Sequence, residues 1–108
     1  MIVVVNKYLL AKGFKGVSLW PFIIVKYSGY KGDEIFINHE KIHLRQQLEL
    51  LIIPFYLWYT AEFLIRCLQY KNAYKAYRNI SFEKEAYQQE KDFSYLSRRN
   101  IWSFLKYL

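Results

Sequence analysis

Apolar and polar positions follow two regimes along this chain. Short β-branched and aromatic runs lead to about residue 27, and helical periodicity takes over from about residue 34. Ile2 to Val5 is short and β-branched, which predicts a strand. Lys12-Gly13-Phe14-Lys15-Gly16 predicts a turn, with two glycines able to take positive φ. Val17 to Tyr27 carries Trp20, Ile23, Ile24 and Val25 and predicts a second, longer strand. Pro21 has no N–H to give a ladder, so this strand is expected at a sheet edge or with a bulge there. Ser28 to Gly32 then turns the chain into a helix, with Asp33 as N-cap and Glu34 in the favourable first turn.

That first helix is expected from Glu34 to about Ile53. Asn38, Lys41, Arg45 and Glu49 make its wet face, and Ile37, Leu44, Leu48 and Leu51 an apolar one. His39, His43, Gln46 and Leu50 form a third stripe. Pro54 ends or kinks the helix. Phe55 to Gln69 predicts a second, very aromatic helix, with Glu62 and Arg66 spaced for an i,i+4 ion pair. Lys71 to Asn79 is a polar and aromatic connection with room for one short helical turn. Ser81 is the expected N-cap of a third helix, from Phe82 to about Leu96. Asn100 to Leu108 is a dense apolar tail, read as a short amphipathic helix or a strand. Together these predict a single α+β domain over residues 1–108: a small N-terminal β-ribbon or sheet, three main helices and a short C-terminal segment.

Composition narrows the class. A chain of 108 residues, 54% hydrophobic and 20% aromatic, carries enough apolar surface for one modest core and is not a disordered chain. Cys67 is the only cysteine, which excludes an internal disulfide and fits a reducing compartment. The start has no basic segment followed by an apolar core and a cleavage site, so no signal peptide and a cytoplasmic location are expected. Leu50 to Ile65 is apolar, but Pro54 and Glu62 interrupt it short of the roughly 20 residues a membrane span needs. A buried or interfacial helix is the better reading of that stretch.

The net charge of +7 is concentrated at the ends. Lys7, Lys12, Lys15, Lys26 and Lys31 precede the first acid, and Arg98, Arg99 and Lys106 follow the last. Such ends attract a polyanion. No RNA- or DNA-binding signature accompanies them, so nucleic acid is not expected as a partner. Peripheral contact with anionic membrane remains, beside the plainer reading of a well-solvated surface.

The chemistry sits at Asn38-His39-Glu40-Lys41-Ile42-His43, which reads H-E-x-x-H and holds both histidines of the chain. Four residues apart on a helix, His39 and His43 project from one face and can grip one Zn²⁺, while Glu40 is placed as the base that takes a proton from water. A catalytic zinc of this kind needs a third protein ligand. With no third histidine, a carboxylate must serve, and Glu62, Glu83, Glu85 and Glu90 are the candidates. Glu49 lies on the opposite face of the same helix.

Glu83-Lys84-Glu85-Ala86-Tyr87 resembles the E-x-E-A-D signature of the integral-membrane gluzincin peptidases. The resemblance implies Glu83 as the zinc ligand, and Ala86 as the small residue that lets its helix lie close against the H-E-x-x-H helix. Tyr87 stands where those families carry aspartate, so the outer carboxylate is expected to be missing or replaced by a phenol. In length and element order the chain also resembles the minigluzincins, very small zinc peptidases. That likeness implies a peptide or protein substrate paired along the strand from Val17 to Tyr27, with Glu40 as general base. Tyr87 is the first choice to hold the oxyanion, with Tyr95 and Arg98 after it. It also raises latency, with the tail from Trp102 onward lying across the cleft as a plug; completion of the core is the equally weighted alternative for the tail. The competing function is a non-catalytic zinc-binding or membrane-surface module.

Overall fold

The computed structural model of the chain describes residues 2–8, 10 and 14–108. The predicted turn at Lys12 and Gly13 lies outside them. Three strands form one small sheet: β1 (Ile2–Val5), β2 (Gly16–Leu19) and β3 (Phe22–Val25), in the order β1-β3-β2. β1 runs parallel to β3, Ile2 opposite Phe22, and β2 runs antiparallel to it, Ser18 opposite Ile23. The single strand expected from Val17 to Tyr27 is therefore two strands of a hairpin, folded at a cis Trp20-Pro21 peptide. Pro21 takes the turn, where no ladder N–H is required, and so β3 can be the central strand. Gly16 does not take positive φ. It is glycine because a Cβ there would fall 2.6 Å from both the Ile24 carbonyl oxygen and the Phe36 ring.

Five helices follow a 3₁₀ turn over Ser28–Gly32. They are α1 (Glu34–Leu50), α2 (Ile52–Tyr70), α3 (Ala73–Arg78), α4 (Ser81–Gln89) and α5 (Tyr95–Arg98), and a second 3₁₀ turn, Ser103–Tyr107, closes the chain. Asp33 caps α1 by accepting from the Phe36 amide at 3.1 Å, as the sequence predicts. The break after α1 comes at Leu51, in positive φ, and not at Pro54. Pro54 sits in the first turn of α2, where its missing N–H has no intrahelical partner to lose. α1 and α2 meet there at a bend of 111°, and no described helix is by itself long and apolar enough to cross a membrane.

The expected faces of α1 hold in part: Ile37 and Leu44 pack toward the sheet, but three positions are reversed. Asn38 is buried and its amide donates to the carbonyls of Glu90 at 2.8 Å and Asp92 at 3.1 Å, while Leu48 and Leu51 are exposed. Those same contacts stop the third main helix at Gln89, short of the expected Leu96, because Asp92 and Ser94 turn the chain beneath Asn38. Ile23, Val25 and Leu44 join the sheet to α1, and Ile42, Ala86 and Tyr95 join α1 to α4 and α5. Ala86 thus plays the close-packing part expected of it. Phe55, Ile80, Phe82 and Phe104 make the third apolar cluster. Phe104 belongs to the tail, its ring centroid 4.5 Å from that of Phe82, so the tail completes the core.

Candidate metal centre

Helical register sets one half of the site. From the Asp33 cap onward α1 carries His39, Glu40 and His43 inward, all three buried. The other half depends on where α4 begins. Glu62 of α2 reaches the first turn of α4 and accepts from the Ser81 amide at 2.6 Å and from the Ser81 hydroxyl. Trp58 Nε1 donates to the same carboxylate at 2.9 Å. A buried carboxylate against the first N–H of a helix is favourable. The expected Glu62–Arg66 ion pair is absent, and Ser81 is held by Glu62 and does not cap the helix itself; Arg66 donates to Gln69 instead. Fixed this way, α4 presents Glu83 to the two histidines.

His39 Nε2 and His43 Nε2 are 3.2 Å apart, and Glu83 Oε1 lies 3.1 Å from the first and 3.0 Å from the second. All three side chains are buried. Each ring's other nitrogen faces an oxygen: His39 Nδ1 is 3.3 Å from Glu90 Oε2, and His43 Nδ1 is 2.8 Å from Gln46 Oε1. If both Nδ1–H groups donate outward, both Nε2 lone pairs converge with a carboxylate oxygen on one point. Three electron pairs meeting away from water need a shared cation. Zinc–ligand bonds of about 2.0–2.1 Å set tetrahedron edges of roughly 3.3 Å. The observed separations are close to that, and the donor set therefore fits zinc.

The electrostatics follow the same logic. Burial by itself would lower the His43 pKa, but the charge and hydrogen bond of Glu83, with Glu40 behind, raise it to about 9. Burial pushes the Glu83 carboxyl up, and the two histidines outweigh it and hold the group well below the usual carboxylate range. Glu40 is driven upward by burial, only partly opposed by the histidines. Tyr59, on α2, donates to Glu83 Oε2 at 2.7 Å, and burial beside that carboxylate keeps its phenol protonated.

The other candidates are placed away from the ligand position. Glu62 holds α4. Glu85 is buried against Arg99, accepts from Tyr95 at 2.7 Å, and accepts from Gln46 Nε2 at 2.9 Å. Glu90 faces the far nitrogen of His39, so an outer carboxylate is present after all, one turn beyond the position where the resembled families carry aspartate. Tyr95 is engaged by Glu85, and Arg98 pairs with Asp92. The Arg99 side chain is buried between Glu85 and Glu49. Tyr87 sits edge-on to His39 with ring centroids 4.4 Å apart, its hydroxyl 2.8 Å from that of Tyr77. Gln46 lies on the stripe its i,i+3 spacing from His43 predicted, whereas Tyr59 and Tyr77 carry no spacing signal and the sequence did not single them out.

A cavity of about 920 Å³ opens onto His39 and Glu40. Its walls include Phe36, Phe63, Tyr74, Tyr77 and Tyr87, with Gly16 of β2 at the rim; no tail residue lines it. Part of the β2 edge is taken: the Ser18 carbonyl accepts from Tyr56 at 2.6 Å and from Gln47 at 3.0 Å, and just beyond the strand the Trp20 amide donates to Gln47 at 2.7 Å. Compared with known proteins, the chain matches no protein-family model, no curated protein and no solved structure.

Proposed function

We propose that this chain is a zinc-dependent peptidase of gluzincin type, with His39, His43 and Glu83 as ligands and Glu40 as general base. The observation that carries the reading is the convergence of three buried ligand atoms, with His39 of the three and the buried Glu40 carboxylate lining an open cavity. Bound there, zinc supplies Lewis-acid activation of water and of a substrate carbonyl. Glu40 takes the proton of the attacking water and passes it to the leaving amine. Burial lifts its pKa toward the range in which one group both accepts and returns a proton. Tyr87 and Tyr77 are both kept protonated by burial and share one hydroxyl–hydroxyl hydrogen bond, so the pair keeps one O–H on the wall to offer a developing oxyanion. Gly16 is the rim residue of β2 against which an extended peptide pairs, and Phe36, Phe63 and Tyr74 favour a bulky apolar side chain beside the cut bond.

The test is a pair of variants read by metal analysis and by hydrolysis of a peptide library. His39→Ala removes a ligand and should abolish tight zinc binding. Glu40→Gln should keep about one zinc per chain and lose hydrolysis by a factor of roughly 100 or more. Full zinc occupancy in a His39→Ala/His43→Ala double variant would overturn the assignment. Bound zinc with no hydrolysis by the unaltered chain would leave a zinc that only joins α1 to α4.

A further inference from the structure

The outward face of α2 repeats Ile53, Leu57, Leu64 and Leu68, with Thr60 and Ala61 between them, and every one of these residues is exposed. Leu68 is 80% exposed. From Ile53 to Leu68 the apolar strip spans most of a 19-residue helix, and Leu48 and Leu51 before it are exposed as well. Single exposed leucines are ordinary, and a continuous strip of them marks a docking face. The strip holds no charge. The one acid of α2, Glu62, is buried on its other side.

What covers the strip is indicated by charge. Of nine acids, Glu40, Glu62, Glu83 and Glu85 are buried, Asp33, Glu49, Glu90 and Asp92 are half-buried, and Glu34 is exposed. The outer surface is therefore more strongly basic than the net charge of +7 implies. Lys71 caps the end of α2 nearest Leu68, and Lys75 lies on α3, which packs against α2; both are exposed. An apolar strip flanked by lysines and free of carboxylates complements a bilayer surface that contains anionic lipid. A second copy of the chain would bring like charges together, which opposes self-association through this face.

We propose that α2 docks the chain onto anionic membrane, lying in the interface with Ile53, Leu57, Leu64 and Leu68 among the acyl chains and Lys71 and Lys75 at the headgroups. The proposal does not depend on zinc or on catalysis. The full chain is sedimented with vesicles of phosphatidylcholine alone and with vesicles in which about one third is phosphatidylglycerol, at low and high salt. The expected result is binding to the anionic vesicles at least about tenfold stronger than to neutral ones, weakened by salt. A Leu57→Ser/Leu64→Ser/Leu68→Ser variant changes only exposed positions, so it should keep its circular dichroism and melting temperature while losing at least about tenfold in affinity. Lys71→Glu/Lys75→Glu should lose the preference for anionic vesicles. Unaltered chain left in the supernatant, equal binding to both vesicles, or unchanged binding by the serine variant would each overturn the proposal. A dimer that the serine variant converts to monomer, with no vesicle binding by either, would assign the face to a second copy and overturn it too.

Discussion

Removing the Phe104 ring separates a tail that is core from a tail that is a plug. Phe104 is 1% exposed, and its ring lies 4.5 Å from Phe82 and 5.2 Å from Trp58 between centroids. Phe104→Ala deletes the ring from a site walled by α2 and α4, neither of which can move in without disturbing the Glu62 contact that starts α4. Loss of transfer energy plus a residual cavity puts the expected destabilisation at about 3–5 kcal/mol. A domain of this size has about 5–15 kcal/mol in all, so the variant should melt at least roughly 12 °C lower. Urea and thermal unfolding are followed by near-ultraviolet circular dichroism, with zinc held in fixed excess because bound metal adds its own stabilisation. Leu105→Ala, at a 43% exposed neighbour, is the control and should change stability by less than about 1 kcal/mol. Because Phe82 precedes Glu83, the variant should also bind zinc more weakly. A Phe104→Ala protein that loses under about 1 kcal/mol and gains peptidase activity would refute the reasoning and restore the plug.

Two further outcomes concern the metal ligands themselves. The folded pKa of His43 is about 9, above its ordinary 6.5, so its ion pair with Glu83 stabilises the zinc-free protein fully below about pH 6.5. That contribution, at most about 3 kcal/mol, is lost as pH rises through 9, and it is not added again from the Glu83 side. Zinc must displace the same proton, so its apparent affinity should rise about tenfold per pH unit from pH 6.5 to 9, measured by competition with a chelator of known affinity; a flat profile would contradict the proton–metal exchange. Gln46→Ala removes the acceptor of His43 Nδ1 and a donor to Glu85, and should weaken zinc binding by roughly 10–100-fold with His43 itself intact. Unchanged zinc affinity in that variant would show that Gln46 does not hold the ring.

Local patterns were legible in the chain, and turns made of apolar residues were not. Ile2–Val5, the Asp33 cap and the short helix between α2 and α4 all follow from residue type and spacing. The β2–β3 hairpin was hidden because Leu19-Trp20-Pro21-Phe22 carries no Gly, Asn or Asp to announce a turn. Leu51 takes positive φ with no sequence signal for it, whereas Pro54, two positions into α2 where proline is tolerated, looked like the break. The end of α4 depends on Asn38, far away in sequence, whose amide collects the carbonyls of Glu90 and Asp92.

The two histidines were readable because i,i+4 spacing is local; the rest of the site becomes readable only when every buried carboxylate is traced to its partner. Glu85 is neutralised by Arg99, which also holds Glu49. Glu62 is satisfied by one amide, one hydroxyl and one indole N–H. Both are thereby committed to structure, joining helices that must not shift. Among the described residues Glu83 meets the two histidines and the Tyr59 hydroxyl, and Glu40 is hydrogen-bonded by Ser18. Neither is met by a lysine or arginine there. A buried carboxylate without a fixed cation is costly, and here two influence each other, Glu40 of the pair lining an open cavity. In a chain with 16 basic residues, a fixed guanidinium or ammonium was readily available for that position. Its absence leaves the positive charge to be supplied by something that exchanges, a proton on His43 or a metal ion shared by His39, His43 and Glu83, as the proposed hydrolysis requires.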